Sequence, residues 1–220
     1  MSREEDVNAW IAEAAELQHK KELERAEQLL DRALRIMPVH SDALLQLGIL
    51  YVSTGRGRMA TKRISRVIQE HPDSSGPIQA LATILRISGR LEMGIQHLKT
   101  LLETASEKSA PYYRMAIAEF YAAQGNYPEL KKMIEGLSAA VVEDPLRLGL
   151  LHLEASSSAP LIELANEVSE PALKATLLGM ASECRQDFGA AAGHYYNASV
   201  EDNTPWFASS ALAAMWLNNS

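Results

Sequence analysis

The chain has 220 residues, of which 47% are hydrophobic and 22% are charged, a composition that favours a folded protein over a disordered one. Its formal net charge of −7 argues against general binding to nucleic acid or to an anionic membrane surface. Cys184 is the only cysteine, which excludes an intramolecular disulfide and fits a reducing compartment. Because the N-terminus is acidic and no apolar run follows it, we expect a cytoplasmic location.

Residues of similar kind recur every 34 positions in the first half of the chain. Ala26, Ala60 and Gly94 form one series, and Gly55 and Gly89 form another. Two further series have the same phase: Trp10, Leu44 and Ile78, and Pro38 and Pro72. Four series in one phase indicate a repeating structural element of 34 residues.

Each 34-residue repeat is predicted to form two antiparallel α-helices. Small residues fall where helices cross, because only a small side chain lets two helices approach closely. We expect Gly48 to admit the paired helix of its own repeat and Ala60 to admit a helix of the next repeat. Gly55, Gly89 and Gly125 fall where the first helix of a repeat ends and needs a left-handed cap, and Pro72 falls where a second helix ends. The repeats predicted on this basis are 7–40, 41–74, 75–110 and 111–144.

The pattern is weaker after residue 144. Asp144 followed by Pro145 is a good helix start, and Thr204 followed by Pro205 is another. The longest apolar stretch, 207–217, is too short to span a bilayer, so we expect no direct membrane insertion. The elements predicted here are a degenerate helix pair in 145–171 (helices 146–156 and 160–169), a second pair in 172–204, and a C-terminal capping helix, 205–218.

The order of residue types in each repeat resembles the tetratricopeptide repeat, in which an aromatic residue, Leu-Gly, Tyr, Ala, a second aromatic residue and Pro follow one another. The second repeat carries the resemblance best, with Leu44, Leu47, Gly48, Tyr51, Ala60, Ile64 and Pro72. The resemblance implies an all-α fold, a right-handed superhelical solenoid of antiparallel helix pairs over 1–220. It also implies a protein-protein interaction scaffold or adaptor rather than an enzyme.

In tetratricopeptide proteins the first helices of successive repeats line a concave groove that binds a segment of the partner. The resemblance places these residues in that groove: Asn8, Ile11, Gln18, Asp42, Leu45, Ile49, Val52, Gln79, Thr83, Arg86, Tyr112, Met115 and Glu119. The apolar members predict an amphipathic helix or an apolar peptide as the ligand. The alternative is that tight superhelical curvature or the terminal helix buries some of these apolar side chains.

A basic cluster lies in the middle of the chain, where residues 41–110 hold nine basic and six acidic side chains. Its members are Arg56, Arg58, Lys62, Arg63 and Arg66. Lys62, Arg63 and Arg66 share one face of a predicted second helix, which we expect to be its solvated outer face. The alternative is a docking patch for an acidic partner or a phosphate.

Motifs that would indicate chemistry are weak. Residues 55–60 match the dinucleotide pattern G-x-G-x-x-A, but that pattern requires a preceding strand, and here a helix is predicted. No two of the six histidines have a metal-ligand spacing, so we expect no metal, no cofactor and no enzymatic activity. A chaperone for an aggregation-prone partner is the alternative to a scaffold, and the sequence leaves the partner and the oligomeric state open.

Overall fold

The computed structural model describes residues 3–142, 144–201 and 205–218, and these residues form thirteen α-helices and no strand. The predicted all-α class, a helical repeat solenoid, is therefore confirmed. The helices are α1 Arg3–His19, α2 Leu23–Ile36, α3 Ser41–Ser53, α4 Gly57–Glu70, α5 Ser75–Ile87, α6 Leu91–Glu103, α7 Ala110–Ala123, α8 Tyr127–Ile134, α9 Pro145–Glu154, α10 Ser158–Glu167, α11 Pro171–Cys184, α12 Phe188–Ser199 and α13 Trp206–Asn218.

The helices belong to two compact units, unit 1 (Met1–Phe120) and unit 2 (Tyr121–Ser220). In unit 1 the pairs α1–α2, α3–α4 and α5–α6 correspond to the first three predicted repeats. The first helices of these pairs also pack side by side, α1 against α3 and α3 against α5. That the whole chain is one continuous array stays a prediction.

The turns inside the helix pairs have the left-handed geometry that their glycines predict. Gly55, Gly89 and Gly125 have φ angles of +75°, +68° and +68°, a region that only glycine adopts without steric cost. In the first pair, Lys21 takes the same conformation at φ +62°, so the backbone geometry of the turn is kept without a glycine. The predicted caps at the three glycines are therefore confirmed.

The close helix crossing predicted at Gly48 is present, but its nearest neighbour differs from the expected one. A Cβ atom at Gly48 would meet the side chain of Ile84 on α5, whereas the nearest atom of Ile64 on the paired helix α4 would be 3.6 Å away. The absence of a side chain at Gly48 is therefore needed mainly for the close contact between α3 and α5 of the next repeat. Gly94 on α6 has the same role, since a Cβ atom there would collide with the ring of Phe120.

Unit 2 has shorter and less regular helices at its start. Helix α8 has only eight residues, and Gly136 at φ +71° follows it. Helices α9 and α10 each begin and end up to two residues before the predicted bounds. The Asp144 side chain causes the early start of α9, because it accepts a hydrogen bond from the backbone N–H of Arg147 at 3.0 Å. Thr204, the predicted start of α13, lies outside the described residues.

Candidate functional site

One apolar face of unit 1 lies on α3. Leu45, Ile49 and Val52 follow one another at i, i+4 and i+7, a spacing that places them on one side of the helix. Ile49 is 39% exposed, and Leu45 and Val52 are partly exposed. We call these three residues the α3 face; they are open to solvent on a helix that packs between α1 and α5.

Polar side chains flank the α3 face on both neighbouring helices. On α5, Gln79 and Thr83 are partly exposed and Arg86 is exposed. On α1, Asn8 is exposed and its Oδ1 accepts a hydrogen bond from Nε2 of His40 at 3.3 Å. Two further predicted groove residues are Gln18 on α1, which is partly exposed, and Asp42 at the start of α3, which is exposed. The arrangement is an apolar strip with a polar margin on each side.

Two apolar residues predicted for the groove are buried instead. Ile11 and Met115 are each only 6% exposed, so they belong to the core and offer no surface to a partner. Ile11 lies on the buried stripe of α1 with Val7 and Ala14, and this i, i+4, i+7 spacing in the sequence could have identified it as a core residue. Tyr112 and Glu119, the other predicted groove residues of α7, are partly buried and hold contacts of their own.

The basic cluster is mostly paired with carboxylates of the chain. Arg56 Nη2 donates to Glu27 Oε2 at 3.0 Å, and Arg63 forms an ion pair with Asp31 at 2.5 Å. Arg66 pairs with Glu70 on its own helix at 2.9 Å. Since Glu27 and Asp31 lie on α2 and their partners Arg56 and Arg63 lie at α4, these two ion pairs connect the first two helix pairs, and the expected solvated outer face does not include Arg63.

Tyr51 is the centre of this connection. Its hydroxyl donates to Glu27 Oε1 at 2.7 Å and accepts from Arg63 Nη1 at 3.3 Å, while the Arg56 guanidinium lies 4.6 Å from the centre of its ring. Glu27 and Asp31 come from α2, whereas Tyr51 comes from α3 and Arg63 from α4. The network therefore ties the first helix pair to the second and helps to fix the position of the α3 face.

The pKa values of the network reflect burial and pairing. Partial burial opposes ionisation of Glu27, but the hydrogen bonds from Tyr51 and Arg56 outweigh it, and the pKa of Glu27 is lowered from its usual 4.5. Burial, followed by the hydrogen bond to Glu27, raises the pKa of Tyr51 above 10. Glu27 is therefore ionised and Tyr51 is neutral at neutral pH.

Sequence reasoning missed Glu27 and Asp31 as partners of the basic cluster. A signal was present, since Asp31 and Arg63 are 32 residues apart and Glu27 and Arg56 are 29 apart, both close to one repeat length. Arg58 and Lys62 are exposed, and neither forms an ion pair with any residue that the structure describes. These two cations are what remains of the predicted docking patch.

The described residues contain neither a candidate metal site nor a candidate membrane span. Within residues 3–142, 144–201 and 205–218, no three His, Cys, Asp or Glu side chains are grouped so that they could hold a metal ion. Helices in the same ranges are all too short or too polar to cross a membrane.

Comparisons with known proteins agree with the repeat architecture. Residues 17–85 match the family model of the tetratricopeptide repeat. PilW, a widely conserved type IV pilus biogenesis factor, aligns with 96% of this chain and 98% of its own at 17% identity and a TM-score of 0.52, which shows a similar fold. PilF of Pseudomonas aeruginosa aligns with 98% of this chain and 99% of its own at 14% identity and a TM-score of 0.48.

A further solved structure, the APC/C heterotetramer Cut9-Hcn1, contains a chain that aligns with 96% of this one at 16% identity and a TM-score of 0.47. This chain spans 42% of that longer one. No curated protein sequence matches this chain. The family match over residues 17–85 and the fold shared with PilW confirm the resemblance to tetratricopeptide repeats, whereas the groove residues stay a prediction.

Proposed function

Since residues 17–85 belong to the tetratricopeptide repeat family, we propose that this chain is a protein-protein interaction scaffold or adaptor that binds an apolar helix or peptide on its α3 face. The observation that carries the proposal is the exposure of Leu45, Ile49 and Val52 on one side of α3, between polar margins on α1 and α5. Contiguous exposed apolar residues with a polar rim are typical of partner-binding surfaces.

The dimensions of the α3 face suit a short apolar segment. Seven residues of helix separate Leu45 from Val52, which is about 10 Å at 1.5 Å per residue. An amphipathic helix with anchors at i, i+4 and i+7 presents a strip of the same length. Burying one large apolar side chain completely contributes roughly 1.5–3 kcal/mol, so three partly exposed residues support a modest affinity that the polar margins can increase.

The polar margins favour one orientation of the bound segment. Arg86 and Asp42 are exposed and have opposite charges, and Gln79 and Thr83 on α5 can donate or accept hydrogen bonds beside the apolar strip. Such groups contribute more to specificity than to affinity, because exposed charges remain screened by solvent. The proposed ligand is therefore apolar along its centre and polar along its edges.

A second candidate is an electrostatic docking module, and the exposed, unpaired Arg58 and Lys62 favour it. The sequence suggested a patch of five cations, but Arg56, Arg63 and Arg66 are paired with Glu27, Asp31 and Glu70. The two cations that remain attract an acidic partner more weakly than five would. A chaperone would use the same α3 face, but its partner would be aggregation-prone when it is not bound. This alternative stays a prediction, as does the cytoplasmic location.

The test compares two double variants in affinity capture followed by mass spectrometry. Leu45→Asp with Ile49→Asp removes the apolar face at partly exposed positions, and Arg58→Glu with Lys62→Glu reverses the unpaired cations. Arg63 is left unchanged, because it pairs with Asp31 on α2 and a substitution there would also disturb the contact between the first two helix pairs. We expect partners captured by the wild type to be lost with the first variant and kept with the second.

Circular dichroism and thermal melting of both variants show whether the fold is intact. For a partner held on the α3 face, affinity should depend weakly on salt, because apolar burial is not screened. Capture that survives in the folded Leu45→Asp, Ile49→Asp variant but disappears in the charge-reversed one would overturn the proposal. The docking module would then replace it.

A further inference from the structure

Helices α3 and α5 each contain a single charged residue, and the two charges have opposite signs. In α3 it is Asp42, the second residue of the helix, and in α5 it is Arg86, in the last turn. Both side chains are exposed, and neither forms an ion pair with any residue that the structure describes. An anion and a cation are therefore both available to a ligand of the α3 face.

Both charges lie on the side of their helix that the α3 face occupies. Asp42 precedes Leu45 by three residues, a spacing that places the two on one side of α3. Arg86 follows Val52 by 34 residues, which is one repeat length, so it has the place on α5 that Val52 has on α3. The α3 face is therefore bordered by one anion and one cation.

The two charges lie at opposite ends of this face, because α3 and α5 run in the same direction. A Cβ atom at Gly76, in the first turn of α5, would lie 3.2 Å from Cβ of Ser41, the first residue of α3. Further along, a Cβ atom at Gly48 would collide with Ile84. The starts of the two helices are thus adjacent. Asp42 lies at this start, whereas Arg86 comes two residues after Ile84.

Helix α1 adds negative charge at the end where Asp42 lies. Asn8 of α1 contacts His40, the residue directly before α3, so the two helices begin at the same end. The first turn of α1 contains Glu4, Glu5 and Asp6. The start of the face is therefore acidic, and its far end on α5 is basic.

The separation of the two charges matches three turns of a ligand helix. Along the helix axes Asp42 and Arg86 are about eight residues apart, which is about 12 Å at 1.5 Å per residue, and the spacing of packed helices adds about 9 Å sideways. The diagonal is about 15 Å. An α-helix carries residues i and i+11 on one side at about 16 Å, so both ends of such a helix can pair at once.

We propose that the partner segment is an amphipathic helix with an acidic residue at i, apolar residues at i+4, i+7 and i+8, and a basic residue at i+11, bound antiparallel to α3. The inference rests on the proposed function of the α3 face and specifies its ligand. The acidic residue of the partner pairs with Arg86, the basic residue pairs with Asp42, and the apolar residues between them cover Leu45, Ile49 and Val52.

The antiparallel direction follows from the helix dipole. Acidic residues stabilise a helix near its N-terminus, and basic residues stabilise it near its C-terminus. A ligand helix with the acidic residue first satisfies Arg86 and Asp42 only when its C-terminal end lies at the start of α3. A parallel ligand would need the opposite order of charges, which destabilises the ligand helix itself.

An extended peptide satisfies the same charges less well. Its side chains on one face are two residues apart, so charges at i and i+4 are about 13 Å apart with a single side chain between them. One anchor does not cover the three residues of the α3 face. The helix places three anchors in the same interval.

Two synthetic peptides of about 18 residues, long enough for partial helicity when rich in alanine, test the proposal. Both have leucine at i+4, i+7 and i+8. The first has glutamate at i and lysine at i+11, and the second has these two charges exchanged. Fluorescence anisotropy at low ionic strength gives the dissociation constant of each peptide. The ratio of the two constants is then compared between proteins, so that the different helicity of the free peptides has no effect.

The wild type should prefer the first peptide about threefold to tenfold more than Asp42→Asn with Arg86→Gln does, as expected for two exposed ion pairs. Asp42→Lys with Arg86→Glu should shift the ratio in the opposite direction. At about 0.5 M salt the difference between the proteins should disappear, because exposed charges are screened. Circular dichroism of each variant shows whether its fold is intact.

Failure of the inference and failure of the proposed function give different results. Equal ratios in all three proteins, with binding that Leu45→Asp and Ile49→Asp abolish, would overturn the inference and leave the proposed function in place. No binding of either peptide up to about 1 mM, the weak end of specific affinities, would overturn both. Binding that Leu45→Asp and Ile49→Asp leave unchanged would also overturn both.

A matched pair of single substitutions provides the control. Arg58 is exposed and without an ion pair among the described residues, as Arg86 is, but it lies on α4. We expect Arg86→Gln to lower the preference for the first peptide and Arg58→Gln to leave it unchanged. Equal effects of the two substitutions would show that net charge, and not the position of Arg86, determines the preference, which would contradict the inference.

Discussion

Tyr51 in unit 1 and His152 in unit 2 occupy equivalent positions in their helices. Each lies three residues after a glycine at a close crossing, Gly48 or Gly149, and each backbone carbonyl accepts the hydrogen bond that closes the turn, from Arg56 N–H and Ser157 N–H respectively. Both side chains are buried. The backbone geometry is therefore the same at the two helix ends, which we call the Tyr51 joint and the His152 joint, whereas the side chains differ.

The difference is in how the buried polar atoms are satisfied. The Tyr51 hydroxyl donates to Glu27 and accepts from Arg63. His152 Nδ1 has no hydrogen-bond partner, and burial lowers the pKa of its ring from 6.5 to about 4. The Tyr51 joint thus has a hydrogen-bond network that connects two helix pairs, whereas the His152 joint has a buried, neutral imidazole whose Nδ1 is without a partner. Equivalent backbone positions therefore differ in how their buried polar atoms affect stability.

The largest expected effect concerns what the two joints share. Gly48→Leu and Gly149→Leu should each lower the free energy of unfolding by about 3 kcal/mol or more, because a side chain would overlap Ile84 or Leu177. Urea denaturation measures both. Gly57→Ala is the control, since its Cβ atom would meet Val52 at an ordinary 3.7 Å. A Gly48→Leu protein as stable as the wild type would show that α3 and α5 can move apart at little cost in free energy.

Acidification should distinguish the two joints. The folded pKa of His152 lies below its unfolded value, so between pH 6.5 and about 4 the unfolded chain binds a proton that the folded chain excludes. The free energy of unfolding should therefore fall as pH decreases through this window, by on the order of 3 kcal/mol for a shift of this size. His152→Leu should remove that part of the pH dependence. Urea titrations at several pH values that run parallel for the two proteins would contradict the assignment.

Removing one hydroxyl tests the network at the other joint. Tyr51→Phe should cost about 1–2 kcal/mol at neutral pH, because Glu27 loses a buried donor and Arg63 an acceptor. The folded pKa of Glu27 is lowered, so this stabilisation is present above pH 4.5 and is lost as pH falls through the folded pKa. The cost should shrink accordingly in acid. Tyr196→Phe, at an exposed tyrosine, should change nothing in the same denaturation experiment.

The smallest effects belong to the turns that close the helix pairs. Lys21 in unit 1 and Gln186 in unit 2 have φ angles of +62° and +60° without being glycine. Lys21→Gly and Gln186→Gly should each stabilise the protein by about 0.5–1 kcal/mol, since the left-handed region is costly for residues with a Cβ atom. Gly89→Ala should have the opposite sign. Melting temperatures that move in the same direction for all three would contradict this explanation.

Much of the fold was predictable because its determinants are local and periodic. The 34-residue spacing of Gly55 and Gly89 predicts both the turn positions and their left-handed geometry, and the structure confirms them. The small residue at Gly48 predicts a close crossing, which is also present. Which helix makes that crossing was not predictable, because Ile84 reaches Gly48 from a different repeat.

The candidate site was predictable only in part. The sequence places Leu45, Ile49 and Val52 on one side of a first helix, and the structure leaves that side exposed. It assigned Ile11 and Met115 to the same surface, but neighbouring helices bury both. Exposure depends on which elements cover a residue, and periodicity within one helix does not contain that information.

By itself the sequence determined the class of fold, the repeat length, the capped turns and the helix that carries the α3 face, because each depends on residue types at short or regular spacing. Only the tertiary structure decided that Arg63 pairs with Asp31, that His152 lacks a partner, and that Gly193 faces open space. The physical reason is common to the three: desolvation and pairing depend on atoms distant in the chain, which folding alone brings together or keeps apart.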